Sequence, residues 1–159
     1  MRTLVILMGR CNVGKTKTLK NLQSLLEGDG FKRHQESRSN CPYLFREQSE
    51  SVVIGMDGDI RDNIRNNFRV FEKYKATVCI TATRTFGLCS EESLRNELSK
   101  YLKDFKQVVY IIKRAVSKHE QSKVNQSVAE KIYGGIKLVM KGEKFTIRNA
   151  QEATVITEL

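Results

Sequence analysis

The chain has no tryptophan, one proline (Pro42) and two histidines, His34 and His119. A single proline with 40% hydrophobic residues excludes a weakly hydrophobic, disordered chain. The two histidines stand apart, neither with a Ser or Cys partner, which argues against a nucleophilic triad. No apolar run approaches the roughly 20 residues that cross a bilayer, so no membrane partner is expected. Arg2 and the short apolar run after it have the outline of a secretory signal. The run is too short and lacks a small-residue cleavage site, so a cytoplasmic protein is expected instead. The four cysteines, Cys11, Cys41, Cys79 and Cys89, match no zinc spacing, and reduced thiols are the expected state. There is no internal repeat or low-complexity segment. Tyr and Phe are distributed as core residues, not as base-stacking motifs.

What is abundant is positive charge. Twenty-eight Lys and Arg against eighteen Asp and Glu give +10. Two readings stand: a polyanionic partner, either nucleic acid or several phosphates, or charge spread over the surface for solubility. The length, 159 residues, suits one domain spanning 1–159.

The most specific segment is Gly9 to Thr16, G-R-C-N-V-G-K-T, a full match to G-x-x-x-x-G-K-S/T. It follows the apolar run 4–8 and precedes a helix-like stretch, 18–26. Strand, glycine loop and helix together turn the pattern into a mechanism. Loop amides and the helix N-terminus offer partial positive charge to phosphates. Gly9 and Gly14 allow the curl where a Cβ would obstruct it. Lys15 is positioned to reach the β- and γ-phosphates, and the Thr16 hydroxyl to ligate Mg²⁺. Arg10, Cys11, Asn12, Val13 and Lys17 complete the expected nucleotide-binding stretch. The loop's positive potential can also lower the pKa of Cys11.

These residues resemble the P-loop NTPase superfamily. The resemblance is specific over the first thirty residues or so. It implies an α/β fold of three layers, a mainly parallel central sheet flanked by helices, with ATP and Mg²⁺ as cofactors. The rest of the chain reads in step. Strands are expected at 51–56, 77–82 and 108–112, and helices at about 59–75, 90–105 and 117–133. Strands alternating with helices imply parallel pairing, with ligands at the carboxyl ends of the strands. Residues 31–50 read as a substrate-side or mobile loop, with a short edge strand near 43–45. Residues 134–159 form a C-terminal extension in which 136–140 and 145–147 are expected to pair as a hairpin around Gly142.

The strand ends carry a second set of groups. After 51–56 comes Asp57-Gly58-Asp59-Ile60-Arg61. This D-G-D-I-R segment resembles the D-G-D-N/S-V/I/L-R segment of adenylylsulfate kinase and related small-molecule kinases. The resemblance implies Asp59 as general base or metal anchor, Asp57 as a supporting acid and metal ligand, and Arg61 as an acceptor-binding group. The other reading of the two aspartates is turn and helix-cap duty. Two departures bear on substrate. Arg10, Cys11 and Asn12 stand where that family has small residues, and its later substrate segments are not seen here.

Arg84, in the T-x-R-T-x-G turn after the third strand, either clamps phosphate in two-point fashion and stabilises transferred charge, or satisfies strand-end carbonyls. Lys113 and Arg114 end the fourth strand. Arg114, with Lys118 and Lys123, lies where the lid of many small kinases closes over ATP. Arg61, Arg65 and Arg69 form a helix stripe that either tracks a nucleic-acid backbone or is a solvated face.

The expected function is transfer of the ATP γ-phosphate to a small hydroxyl or phosphate acceptor. Lys15, Asp57, Asp59 and Arg84 are the catalytic set, Arg61, Arg84 and Arg114 the substrate set, and Thr16, Asp57 and Asp59 the metal set. Two alternatives stand: a nucleic-acid-associated ATPase of the phage or plasmid type, and a nucleotide-dependent switch. The loop also resembles that of some translation-associated GTPases. The chain has no convincing D-x-x-G or N-K-x-D segment, which favours ATP over GTP.

Overall fold

The computed structural model describes residues 2–10, 13–34, 42–58, 61–84, 90–147 and 153–158. Thr3–Gly9 forms β1 and Lys15–Gly28 forms α1. Lys32–His34, Tyr43–Glu47 and Glu50–Gly55 are β2, β3 and β4. Arg61–Tyr74 is α2, Val78–Arg84 is β5 and Ser90–Ser99 is α3. Gln107–Lys113 is β6, Lys118–Met140 is α4 and Ala153–Glu158 is β7.

The seven strands form one sheet in the order β2-β3-β4-β5-β1-β6-β7. β4, β5, β1 and β6 are mutually parallel, whereas β2, β3 and β7 run antiparallel to their neighbours. The sheet is therefore mixed, and the expected mainly parallel sheet is corrected. Parallel neighbours need a long crossover, but β3 and β4 are joined by the two-residue turn 48–49, and so short a link makes an antiparallel pair. Gln48 takes the positive φ of that turn, 51°. The strand expected near 43–45 is present as β3, but it is not an edge strand: β2 pairs with its outer side and forms the edge, so residues 31–50 contribute two strands.

Each face of the sheet carries its own core. In β1, Val5 and Leu7 point to one face and Leu4 and Ile6 to the other, all fully buried. This is the period-two alternation of a strand. On the first face, Leu19, Leu22 and Leu26 of α1 meet Val124, Val128, Ile132 and Ile136 of α4. On the second, Ile64, Phe68 and Phe71 of α2 meet Leu98 of α3. Helices on both faces bury both sides of the central strands, which explains their nearly unbroken apolar runs.

The expected hairpin of 136–140 with 145–147 is overturned. Residues 136–140 are the last turns of α4, because the buried positions 124, 128, 132, 136 and 139 continue at helical spacing. The helix stops at Gly142 (φ 81°), whose N–H bonds to Val139 O at 2.9 Å while that of Glu143 bonds to Leu138 O at 3.0 Å. Beyond it, Phe145 is buried against Gly135 and held by Gln107, which bonds both its N–H and its C=O. Among the described residues no helix is long and apolar enough to cross a membrane.

Candidate functional site

β1, β4, β5 and β6 all end at one rim of the sheet, with Gly9 beside Arg84 and Met8 beside Ile112. β1 and β5 are neighbours, yet the helix after β1 packs on one face and the helix after β5 on the other. Adjacent strands that send their connections to opposite faces leave a crevice at their carboxyl ends. The described ends of the segment 9–16, Gly9–Arg10 and Val13–Thr16, lie at that crevice.

Cys11 and Asn12 lie outside the described residues, and the rest of the loop is closely held. Gly14 caps α1 with φ 83°, a left-handed conformation that favours glycine. A Cβ there would also strike the Asn125 side chain, reaching within 2.3 Å of Oδ1. Thr18 Oγ1 donates to Gly14 O at 2.8 Å. Lys15 is buried and its Nζ donates to Gly9 O (2.8 Å) and Arg10 O (3.0 Å). These bonds tie the loop's end back to its start and aim the ammonium across its inside.

A second lysine supports the loop. Lys113, buried at the end of β6, donates to Val13 O and to Asn125 Oδ1. Burial, and after it the charge of Lys15, pushes its pKa down to about 8. Its sequence position marks it as a rim cation. Its role beneath the loop depends on Asn125, which reaches the loop from α4 and has no sequence signal beyond a polar residue on a helix face.

Thr16 is exposed and opens onto a cleft of about 450 Å³. One wall is a face of α1: Thr16, Lys20, Gln23, Ser24 and Glu27. The opposite wall brings Met56 and Asp57 from the end of β4, Asn63 from α2, Tyr43 from β3 and Arg33 from β2. Gln23 Nε2 meets Met56 Sδ at 2.9 Å. The Arg33 guanidinium sits 5.4 Å from the Tyr43 ring centre and 3.9 Å from Glu27. Because β3 is antiparallel to β4, its first residue, Tyr43, lies at the same rim as the end of β4.

Asp57 is exposed on this cleft, and the backbone around it is pinned. Asn67 Nδ2 donates to Asp57 O at 2.8 Å, and Thr83 Oγ1 donates to Gly58 O at 3.2 Å. Gly58 approaches β5 so closely that a Cβ would lie 2.0 Å from Ala82 O. Asp59 lies outside the described residues. Arg61 is exposed on the first turn of α2.

The remaining arginines are placed elsewhere. Arg84 lines a second cleft, of about 310 Å³, on the α2–α3 side, with Arg95, Met8 and Tyr110. Arg114 Nη2 donates to Thr154 Oγ1 at 2.9 Å, tying the end of β6 to β7. Arg65 of the α2 stripe pairs with Glu97 of α3 at 2.9 Å, and Arg69 bonds Asn66 at 3.0 Å. Lys17, Lys118 and Lys123 are exposed. The rim thus brings together Lys15, Thr16, Asp57 and Lys113, while Arg84 and Arg114 reach away from the Thr16 cleft.

Among the described residues no group of three His, Cys, Asp or Glu side chains could hold a metal by itself. A magnesium ion bound mainly by phosphates and water needs only one or two protein ligands, and Thr16 with Asp57 on one cleft fits that requirement. Comparison with protein-family models, with curated proteins and with solved structures returns no match.

Proposed function

We propose that the chain is a P-loop protein that binds a nucleoside triphosphate with Mg²⁺ and transfers its terminal phosphoryl group to a small acceptor. One observation carries this reading: both described ends of the G-x-x-x-x-G-K-T segment lie at the crevice of the sheet, and its Thr16 shares a cleft with Asp57. Main-chain amides of 9–16 bind the phosphates, and Lys15 neutralises the β- and γ-oxygens. Lys113 and Asn125 hold the loop from below.

Thr16 and Asp57, with Asp59, are the groups that would hold Mg²⁺, which supplies charge neutralisation on the transferring group. The cleft of about 450 Å³ takes the acceptor, with Arg33 and Lys20 as cations for a phosphate or carboxylate on it. Asp59 takes the proton from an acceptor hydroxyl, and Arg61 holds the acceptor. Catalysis rests on positioning and charge stabilisation, because phosphoryl transfer asks for little else. Arg84 and Arg114 are assigned no contact with the acceptor in this cleft.

The test is nucleoside diphosphate formation from ATP in magnesium buffer, with and without a panel of hydroxyl and phosphate acceptors. The reading expects release that depends on one acceptor class and is slowed in Asp59→Asn with ATP affinity kept. Release that no acceptor stimulates but a polynucleotide does would replace it with a nucleic-acid-associated ATPase.

A further inference from the structure

Lys113 is 3% exposed and lies against both described ends of the segment 9–16. A Cβ on Gly9 would sit 3.6 Å from Lys113 Cβ, and Lys113 Nζ donates to Val13 O. Its other acceptor is Asn125 Oδ1 on α4, a neutral group. Opposite Lys113 on β7 stands Ala153, also neutral. From α1 the charge of Lys15 acts on it, and Arg114, next along the chain, donates to Thr154. Among the described residues no carboxylate bonds this ammonium. A buried cation beside a second cation, with carbonyl oxygens alone as acceptors, loses part of its hold on the proton, which brings its pKa down to about 8.

The bond to Val13 O also sets a direction. A peptide unit is planar and trans, so its C=O and its N–H point opposite ways. With Val13 O turned toward Lys113, the Gly14 N–H of the same unit points away from it. Gly14 keeps the chain in this turn with φ 83°. A peptide turned over would present a carbonyl oxygen where the N–H now points, and successive N–H groups are what make a loop attractive to anions.

On the reading that 9–16 binds phosphates, we propose that Lys113 is a positioning residue for that site: its ammonium aims the Gly14 N–H at the phosphates, and triphosphate binding makes this lysine take up a proton. The proton comes from the buffer, and no bond of the nucleotide breaks. Phosphate oxygens bring the negative charge that the lysine's surroundings lack, so the complex favours the ammonium form and raises its pKa above that in the chain alone. Affinity is therefore full below about pH 8 and falls as pH rises from there toward the higher value of the complex.

Calorimetric titration of ATP in magnesium buffer at about pH 7 and about pH 9, in buffers of different ionisation enthalpy, tests this. Affinity should fall about 3- to 10-fold between the two, with net uptake of at most about one proton per site at the higher pH. Lys113→Met should bind more weakly at the lower pH, with a flat profile and no uptake. Lys113→Arg, which cannot lose its charge there, should hold its affinity across the range. Without nucleotide, the Gly14 amide resonance should titrate with a midpoint of about 8 in the unmodified chain and not in Lys113→Met. If neither variant folds, that resonance and the proton uptake of the unmodified chain decide. Binding that ignores pH and takes up no proton, a Lys113→Met variant with the parent's profile, or a Gly14 amide that does not titrate while ATP binds would overturn this proposal and leave the phosphate-binding reading standing. No ATP binding at either pH would overturn that reading and the proposal with it.

Discussion

Lys113 and Asn125 meet beneath the loop that follows β1, the ammonium donating to the side-chain oxygen. β6 supplies the lysine and α4 the asparagine, so two elements distant in sequence from 9–16 set the height of the loop floor. The same asparagine oxygen lies against Gly14 and within 3.4 Å of Thr18 Oγ1. Asn125→Leu should leave a buried ammonium short of an acceptor and cost about 2–3 kcal/mol in urea unfolding. Adding Lys113→Met should recover part of that loss, because the two residues act as a pair.

Lys113 also predicts a pH dependence. Its pKa falls from 10.5 to about 8, so protonation is disfavoured in the folded chain. Between those values the unfolded chain holds the proton and the folded chain releases it, so this lysine's contribution rises with pH across that window. Below the lower value both states are protonated and the penalty is fully present. Lys113→Met should flatten the rise, as seen by comparing urea midpoints at about pH 7 and about pH 10.

Glu97 predicts a dependence of the same sign at the acid end, stability rising with pH between the folded and the ordinary value. Its carboxylate is 3% exposed and bonds Arg65 (2.9 Å), Lys100 (2.7 Å) and Tyr101 (3.1 Å). Arg65, then Lys100, hold its pKa down at about 2, against an ordinary 4.5. A depressed carboxylate stabilises the fold above its unfolded pKa and loses that contribution as pH falls toward the folded value. Glu97→Gln should cost about 1–2 kcal/mol near neutrality, limited by the half-exposed arginine, and reduce the acid sensitivity. Urea midpoints between about pH 6 and about pH 3 measure both effects.

Gly58 tests the backbone beside Asp57. Its near contact with Ala82 O admits no side chain, so Gly58→Ala must displace either the 57–58 segment or the end of β5. A loss of roughly 2 kcal/mol or more in thermal unfolding is expected, as for overpacking a tight site. A variant as stable as the parent would contradict the pinned geometry.

Much of the architecture was legible in the sequence because the central strands and α2 carry strong apolar patterns. Ile64, Phe68 and Phe71 recur at helical spacing and are buried as that spacing requires. The antiparallel additions were harder to read. β2 is K-R-H, wholly exposed, and offers no alternation. The C-terminal turns of α4 have the composition of a strand, I-K-L-V-M, and only their continuity with 124, 128 and 132 makes them helix. In the candidate site, Lys15 and Thr16 stand out by local spacing and Asp57 by the resemblance of its segment, and all three lie at one rim. Asn125 and Asn67 do not stand out, because each meets the backbone of a segment distant in sequence or of a neighbouring strand end. Arg84 and Arg114 were placed at the correct strand ends, but which face a side chain takes there depends on contacts such as that with Thr154.

Calorimetric titration of ATP, and separately GTP, into the chain and its Lys15→Ala variant in magnesium buffer bears most directly on the central claim. One saturable site per chain is predicted, with affinity at least ~10-fold weaker once the ammonium inside the loop is gone. No heat of binding from either triphosphate, or equal affinity in Lys15→Ala, would contradict the account.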